Sequence, residues 1–262
     1  HRRQCVQDSG RMGEKMLGEL GLEENRCTAF VGAGGKTTAV YTCVGESLQK
    51  GLLAAAVTTT KMWKPKKGFV EWKAGDSVDE IRKKIRGCGT LPLTIGTDFG
   101  NGKIGPVPEQ ILARLAEAGI RLFVEADGAK GKWIKRPGAN EPVVPDFAET
   151  VVGILNQKAV GHPFSEVAHR PQICAGSLGK NQEDLVDMFD LVVLFCKRDG
   201  IFQNCQAKKV ALVSGFAMGE GRCFFARYRK EFLLIGQQGV PAFVWERSDD
   251  RQSVFMPDEG II

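Results

Sequence analysis

Glycines followed by a lysine and threonines can hold a phosphate chain. The run Gly32-Ala33-Gly34-Gly35-Lys36-Thr37-Thr38 supplies that combination. The glycines let backbone N–H groups turn inward on an anion, Lys36 can reach β- and γ-phosphates, and the Thr37 hydroxyl can sit on a magnesium ion. The loop is shorter than the full phosphate-loop pattern, which asks for a glycine where Phe30 stands. Such a loop needs a strand to deliver it and a helix to carry the chain away, because the helix N-terminus adds the positive end of its dipole. Both are legible. Cys27-Thr28-Ala29-Phe30-Val31 reads as a buried strand, and residues 39–48 read as a helix.

The second chemical group is acidic. The apolar run from Arg121 to Val124 reads as a strand that delivers Glu125 and Asp127 at its end. Alternation along a strand puts these two carboxylates on one face, where both can address one magnesium ion in phosphoryl-transfer chemistry. A third group follows the apolar run 52–57: Thr58, Thr59, Thr60 and Lys61 stand at the strand end that binds ligands in an open α/β sheet. The threonines are placed to sense a γ-phosphate. Lys61 and the basic loop 130–136, with Lys130 first, are placed to hold phosphates or an anionic cofactor. His169 and Arg170, ahead of Pro171, are a further candidate substrate pair, although such a pair is more often structural.

Strands expected near 27–31, 52–57, 91–96, 121–128, 149–155, 209–214 and 240–245 alternate with helices near 11–22, 39–48, 78–85, 108–118 and 222–235. Residues 184–198 read as a helix with Gly200 as its stop, with 191–196 as an alternative strand. Residues 1–10 read as a loose arm and 62–76 as a loop or hairpin. The alternation predicts a three-layer α/β fold with a mostly parallel sheet, like that of phosphate-loop NTPases. We expect one domain over 1–262, with an irregular cap or insert at about 129–189.

The 262 residues are 43% hydrophobic and 26% charged, ordinary material for a sizeable core. No apolar run is long enough to span a bilayer and no secretory pattern opens the chain, so no membrane partner is expected. Eight cysteines form no Cys-x-x-Cys pair and several sit inside apolar runs, which points to free thiols in a reducing cytoplasm. Three histidines argue against a His-rich metal site. The net charge of +5 is mild, and its lysine clusters suit a basic rim around an anion. No nucleic-acid module accompanies them.

Several segments together resemble the YqeC family: residues 31–38, Thr58-Thr59-Thr60-Lys61-Met62-Trp63, Val124-Glu125-Ala126-Asp127-Gly128-Ala129-Lys130-Gly131, Asn140-Glu141-Pro142-Val143-Val144-Pro145, and Val151-Val152-Gly153 followed by His169-Arg170-Pro171. The resemblance covers roughly residues 27–215, and its Glu-Ala-Asp-Gly-Ala-Lys segment is the most specific part. It implies a phosphate-loop protein that serves selenium-dependent molybdenum hydroxylases, in the biosynthesis or insertion of a labile selenium-containing cofactor. An Asn-Lys-x-Asp segment that would read guanine is not found where Ser214-Gly215-Phe216-Ala217 stands.

The leading expectation is a magnesium-dependent ATP or GTP hydrolase, or a phosphoryl-transfer enzyme. Lys36, Glu125 and Asp127 carry the chemistry, and Thr37, Glu125 and Asp127 hold the metal. Mur ligases, which have shortened loops of similar form, activate an acid by phosphorylation. The alternative is a non-catalytic carrier that holds a molybdopterin dinucleotide or similar cofactor in the same loop and presents it to a hydroxylase. A chalcogen carrier with a reactive cysteine is the weakest reading, since no cysteine opens a helix or adjoins an evident base.

Overall fold

β-branched and apolar runs bounded by glycine or polar turns form the strands. The computed structural model describes residues 15–89 and 91–256. Its strands, in chain order, are β1 Cys27–Gly32, β2 Ala54–Thr58, β3 Met62–Trp63, β4 Phe69–Glu71, β5 Thr94–Asp98, β6 Lys103–Gly105, β7 Arg121–Glu125, β8 Ile134–Lys135, β9 Thr150–Asn156, β10 Ala168–His169, β11 Lys208–Phe216, β12 Ala242–Arg247 and β13 Gln252–Phe255. The main sheet runs β13-β12-β11-β9-β1-β7-β2-β5-β6-β3, with β4 on β5, and β8 and β10 form a separate pair. The central pairings are parallel; only β13, β6 and β3 join in the antiparallel sense.

β1 is buried along its whole length, between β9 and β7. Alternation along it feeds two apolar layers. Phe30 belongs to one layer with Phe123, Leu212 and Trp245, beneath the helices Met16–Glu19 and Lys36–Gln49. Val31 belongs to the other with Val124, Leu155 and Val213, under the helices Glu109–Glu117, Met188–Cys196 and Arg229–Gln237. Fully burying side chains of this size stabilises the fold by about 1.5–3 kcal/mol each. The expected three-layer, mostly parallel α/β architecture is therefore present.

Local departures have local causes. The helix expected from 184 starts at Met188, because Asp187 caps it: its side chain accepts from Asp190 N–H while Asp190 reaches back, a reciprocal capping box. The alternative strand at 191–196 does not form. The helix expected over 222–235 is two, Glu220–Arg227 and Arg229–Gln237, broken where Tyr228 leaves helical geometry. The segment 162–179, read as irregular, contains the short helices Phe164–Val167 and Pro171–Ser177 around β10. The loop 62–76 contributes β3 and β4, and β6 forms in the connection between β5 and the helix Glu109–Glu117. Of the expected helix 11–22, only Met16–Glu19 is helical among the described residues, and 11–14 lie outside them, as does the arm 1–10.

The seven described cysteines are all unpaired. Burial pushes the Cys27 and Cys174 thiols up to about 12 and that of Cys205 up to about 11. Among the described residues, no helix is long and apolar enough to cross a membrane.

Candidate nucleotide site

The glycine loop leaves β1 pressed against the end of β9. Gly32 has φ +90°, and a side chain there would bring its Cβ to 2.2 Å from the Ile154 carbonyl oxygen. Gly34 has φ +81°, and its Cβ would fall 2.4 Å from that of Asn156. Both positions demand glycine on conformation and on space. Neighbouring strand ends fix the loop: Ala33 N–H donates to Ile154 C=O at 2.8 Å, and Ser214 Oγ donates to Gly34 C=O at 2.6 Å. The helix Lys36–Gln49 then begins with no side-chain cap at Gly35. Its first-turn N–H groups have no intrahelical partners. Gly34, Gly35, Lys36 and Thr37 line a cavity of about 550 Å³ at the C-terminal edge of the sheet.

Lys36 belongs to this helix and is only 4% exposed. It is therefore part of the buried framework and not of an exposed surface loop. Its Nζ donates to Gly32 C=O and sits 2.9 Å from Asp127 Oδ1. Asp127 is fully buried; its Oδ2 accepts from Gly32 N–H at 3.2 Å and lies 2.9 Å from Lys135 Nζ. Lys135, also fully buried, continues to Glu141 Oε2 at 3.0 Å, and Glu141 Oε1 accepts from Arg170 Nη2 at 3.0 Å. Alternating charges thus run from the phosphate loop to β10. Partial burial opposes ionisation of Glu141, but Lys135, the Gly138 N–H and Arg170 outweigh it and hold the carboxyl at about 2.

Glu125 has the opposite fate. β7 ends at Glu125, so strand alternation does not extend to Asp127. Glu125 Oε2 accepts from the exposed Thr37 hydroxyl at 2.8 Å, at the cavity wall. Burial raises the Glu125 pKa; Lys36 and Thr37 pull it down, and Asp127 adds to the rise. Thr37 and Glu125 together offer the hard oxygen donors that suit magnesium. Asp127 does not join them, because its two oxygens face two ammonium groups. The expected pair of carboxylates on one ion is thus replaced by one wall carboxylate and one buried counter-ion. Among the described residues, no group of three or more His, Cys, Asp and Glu side chains could hold a metal ion.

The other candidates divide. Ala129 and Lys130 line the cavity. Thr58 Oγ1 instead stitches its own turn, donating to Thr60 C=O at 2.9 Å and accepting from Thr60 N–H at 3.1 Å. Thr59 N–H donates to Glu125 C=O at 3.2 Å. These threonines brace Glu125 from behind and do not line the cavity. Lys61 stands over the Phe99 ring at 5.3 Å, away from the cavity lining. Arg170 is engaged with Glu141, and His169 is buried in β10 beside Lys135 with its pKa lowered, first by burial and then by Lys135 and Arg170. Neither lines the cavity.

The family model described as YqeC protein matches residues 28–172, just over half of the chain. The chain belongs to the YqeC family. It is also similar to the protein named "Uncharacterized protein YqeC" from Escherichia coli (strain K12), with 28% identity over 227 residues that cover 83% of this chain and 85% of that protein. No solved structure matches. The span matched by the YqeC model contains the glycine loop, Glu125 and the chain of ion pairs from Asp127 to Arg170.

The other end of the cavity lies beyond that span. Ser214, Phe216, Trp245 and Arg247 line it from the ends of β11 and β12. Asn156, Lys158 and Trp133 also line it. Sequence reading did not single these out as site residues. Asn156, Ser214 and Arg247 had a usable signal, since each ends or nearly ends a parallel strand, where open α/β sheets place ligands. Lys135 gave no signal beyond membership of a basic loop.

Proposed function

We propose that this protein binds a nucleoside triphosphate with magnesium in the 550 Å³ cavity and acts on its terminal phosphate. The observation that carries this reading is the uncapped N-terminus of the helix Lys36–Gln49, which opens with Lys36 and Thr37 into a cavity beside Glu125. Orphan N–H groups and the helix dipole favour an anion there. Thr37 and Glu125 would hold the magnesium ion, which when bound neutralises phosphate charge.

Lys36 would turn from Asp127 toward the phosphates, while Lys135 continues to neutralise Asp127. That division of labour lets Lys36 move without stranding a buried carboxylate. Lys130, Lys158 and Arg247 would steer the polyanion from the opposite side. The base would lie toward Phe216, Trp245 and Arg247, where no Asn-Lys-x-Asp segment reads guanine. Cys196-Lys197-Arg198-Asp199, which imitates that segment, ends a helix, and its Asp199 pairs with Arg136 at 2.8 Å.

On the family resemblance, the activity serves maturation or insertion of a selenium-containing cofactor of a molybdenum hydroxylase, in the cytoplasm, where unpaired cysteines persist. A carrier of a nucleotide-bearing cofactor is the second reading. It is favoured by the commitment of Asp127 to two lysines, which leaves Glu125 as the one carboxylate of the pair at the cavity. Calorimetric titration with ATP, GTP and their non-hydrolysable analogues, with and without magnesium, tests the proposal. Magnesium-dependent binding of one triphosphate is expected. Binding of none, with tight binding of a molybdopterin dinucleotide, would replace the enzyme by the carrier.

A further inference from the structure

The main cavity shares a wall with a second one. The strip Lys130-Gly131-Lys132-Trp133 lines both, and His162, Glu166 and Val167 close the far side of the second cavity, of about 430 Å³. The strip is held in place by its backbone. Trp133 C=O accepts from Asn156 N–H at 3.0 Å, and Trp133 N–H donates to Val167 C=O at 2.9 Å. That carbonyl also lies 3.0 Å from where a Cβ on Gly34 would stand, so the strip abuts the phosphate loop. Lys132 Nζ donates to Glu166 C=O at 2.6 Å, which ties the strip to the far wall.

The second cavity offers a specific set of groups. Trp133 and His162 meet edge to face, with centroids 5.8 Å apart, and present aromatic surface. Lys132 is committed to a carbonyl, whereas Lys130 is exposed, makes no salt bridge among the described residues, and is held at φ +49° next to Gly131 at φ +74°. A left-handed lysine costs backbone energy that packing must sustain, and such residues cluster at ligand clamps. Lys130 lines both cavities. Lys130 and Lys132 outnumber the one carboxylate of the second cavity, that of Glu166, which faces His162 Nδ1 at 3.7 Å. Aromatic surface with a net positive charge selects a flat ring that bears a negative charge.

We propose that this second cavity is the site of the co-substrate: a planar heteroaromatic anion that stacks on the face of Trp133, with the His162 ring against its edge, and turns its charged group toward Lys130, next to the terminal phosphate. The inference rests on the nucleotide reading for the role of the ligand, and on the second cavity alone for its binding. A shared lysine would then lie between donor and acceptor and draw their charges together, which is the positioning a two-substrate reaction requires.

The test uses the purified full chain and three probes followed by calorimetry: quinoline-2-carboxylate, cyclohexanecarboxylate and uncharged quinoline. The expected order is quinoline-2-carboxylate first, with each of the others at least tenfold weaker. His162→Ala should weaken quinoline-2-carboxylate at least fivefold while leaving triphosphate affinity unchanged, because His162 lines the second cavity and not the first. His162→Phe, which keeps an aromatic face, should restore most of the affinity. Circular dichroism of each variant confirms the fold. Triphosphate binding without any preference for quinoline-2-carboxylate, or with a preference that His162→Ala leaves intact, overturns the second site and spares the nucleotide reading. His162-dependent binding of the probe without triphosphate binding does the reverse.

Discussion

Lys36 and Lys130 line the same cavity, and they are built into the protein in opposite ways. Lys36 is 4% exposed, opens a helix and is held by Asp127 and the Gly32 carbonyl. Lys130 is exposed, sits in a turn and makes no salt bridge among the described residues. The first wall is made of strand ends and buried charges whose places are fixed by the sheet. The second is made of side chains on a strip that backbone hydrogen bonds anchor but that leaves its cations to solvent. An ammonium held in low dielectric acts on a phosphate far more strongly than a solvated one, because water screens the second and not the first. On the proposed function, one wall would serve the chemistry and the other capture and choice.

The largest expected effect attacks the buried wall. Asp127→Asn leaves Lys36 and Lys135 buried without their shared carboxylate, and should destabilise the protein by about 3–5 kcal/mol. Urea denaturation measures it; a loss below about 1 kcal/mol would show that the two lysines do not depend on Asp127. Combining Asp127→Asn with Lys135→Met should recover part of the loss, since the double variant removes one stranded charge along with the carboxylate.

Next comes Lys36→Ala, which should lower triphosphate affinity by about a hundredfold, or ~2.7 kcal/mol. Some stability will also be lost, because Asp127 keeps only Lys135 as an ionic partner. Calorimetry on the variant, at a temperature where it remains folded, separates the two effects. Unchanged affinity would remove Lys36 from the phosphate site.

Acid tests the two carboxylates in opposite directions. Glu125 has a raised pKa, so protons compete with magnesium there at higher pH than at an ordinary glutamate. Magnesium-dependent triphosphate affinity should fall as pH drops through that raised value, and Glu125→Gln should flatten the profile and weaken the metal dependence. Glu141 has its pKa lowered from 4.5 to about 2. Its stabilising contribution is full above the unfolded value and is lost as pH falls toward the folded one. Stability measured between pH 4.5 and 2 should therefore decline less steeply in Glu141→Gln than in the parent protein. A parallel decline in both would place the acid-sensitive group elsewhere.

The smallest effect belongs to the exposed wall. Lys130→Ala should weaken triphosphate binding by about 0.2–1 kcal/mol, and the loss should shrink as salt is added. A salt-independent, larger loss would mean that Lys130 is desolvated in the complex and that the two walls are more alike than their free geometry shows.

Much of the phosphate side was legible because its signals are local. Gly32, Gly34, Lys36 and Thr37 are neighbours in the chain, and the apolar run before them and the helical period after them allow few structures other than a strand-loop-helix. The pairing of Thr37 with Glu125 was approachable too, since both lie at the ends of parallel elements. The division between Glu125 and Asp127 was not legible. Two carboxylates separated by one residue look equivalent until β7 is seen to stop at the first of them. Lys61 misled for a related reason: it follows a strand end but turns onto Phe99, a contact made across 38 residues of sequence.

The sequence by itself determined the alternation of strands and helices, the two apolar layers, the glycine loop between strand and helix and membership of the YqeC family, because periodicity and short motifs are carried by consecutive residues. Tertiary structure alone decided which charges are buried together, that Lys135 shares Asp127 with Lys36, and that Trp133 stands between two cavities. The physical reason is that a charge's effect depends on its dielectric surroundings and its partners, and both are set by segments distant in the chain that only folding brings within 3 Å of one another.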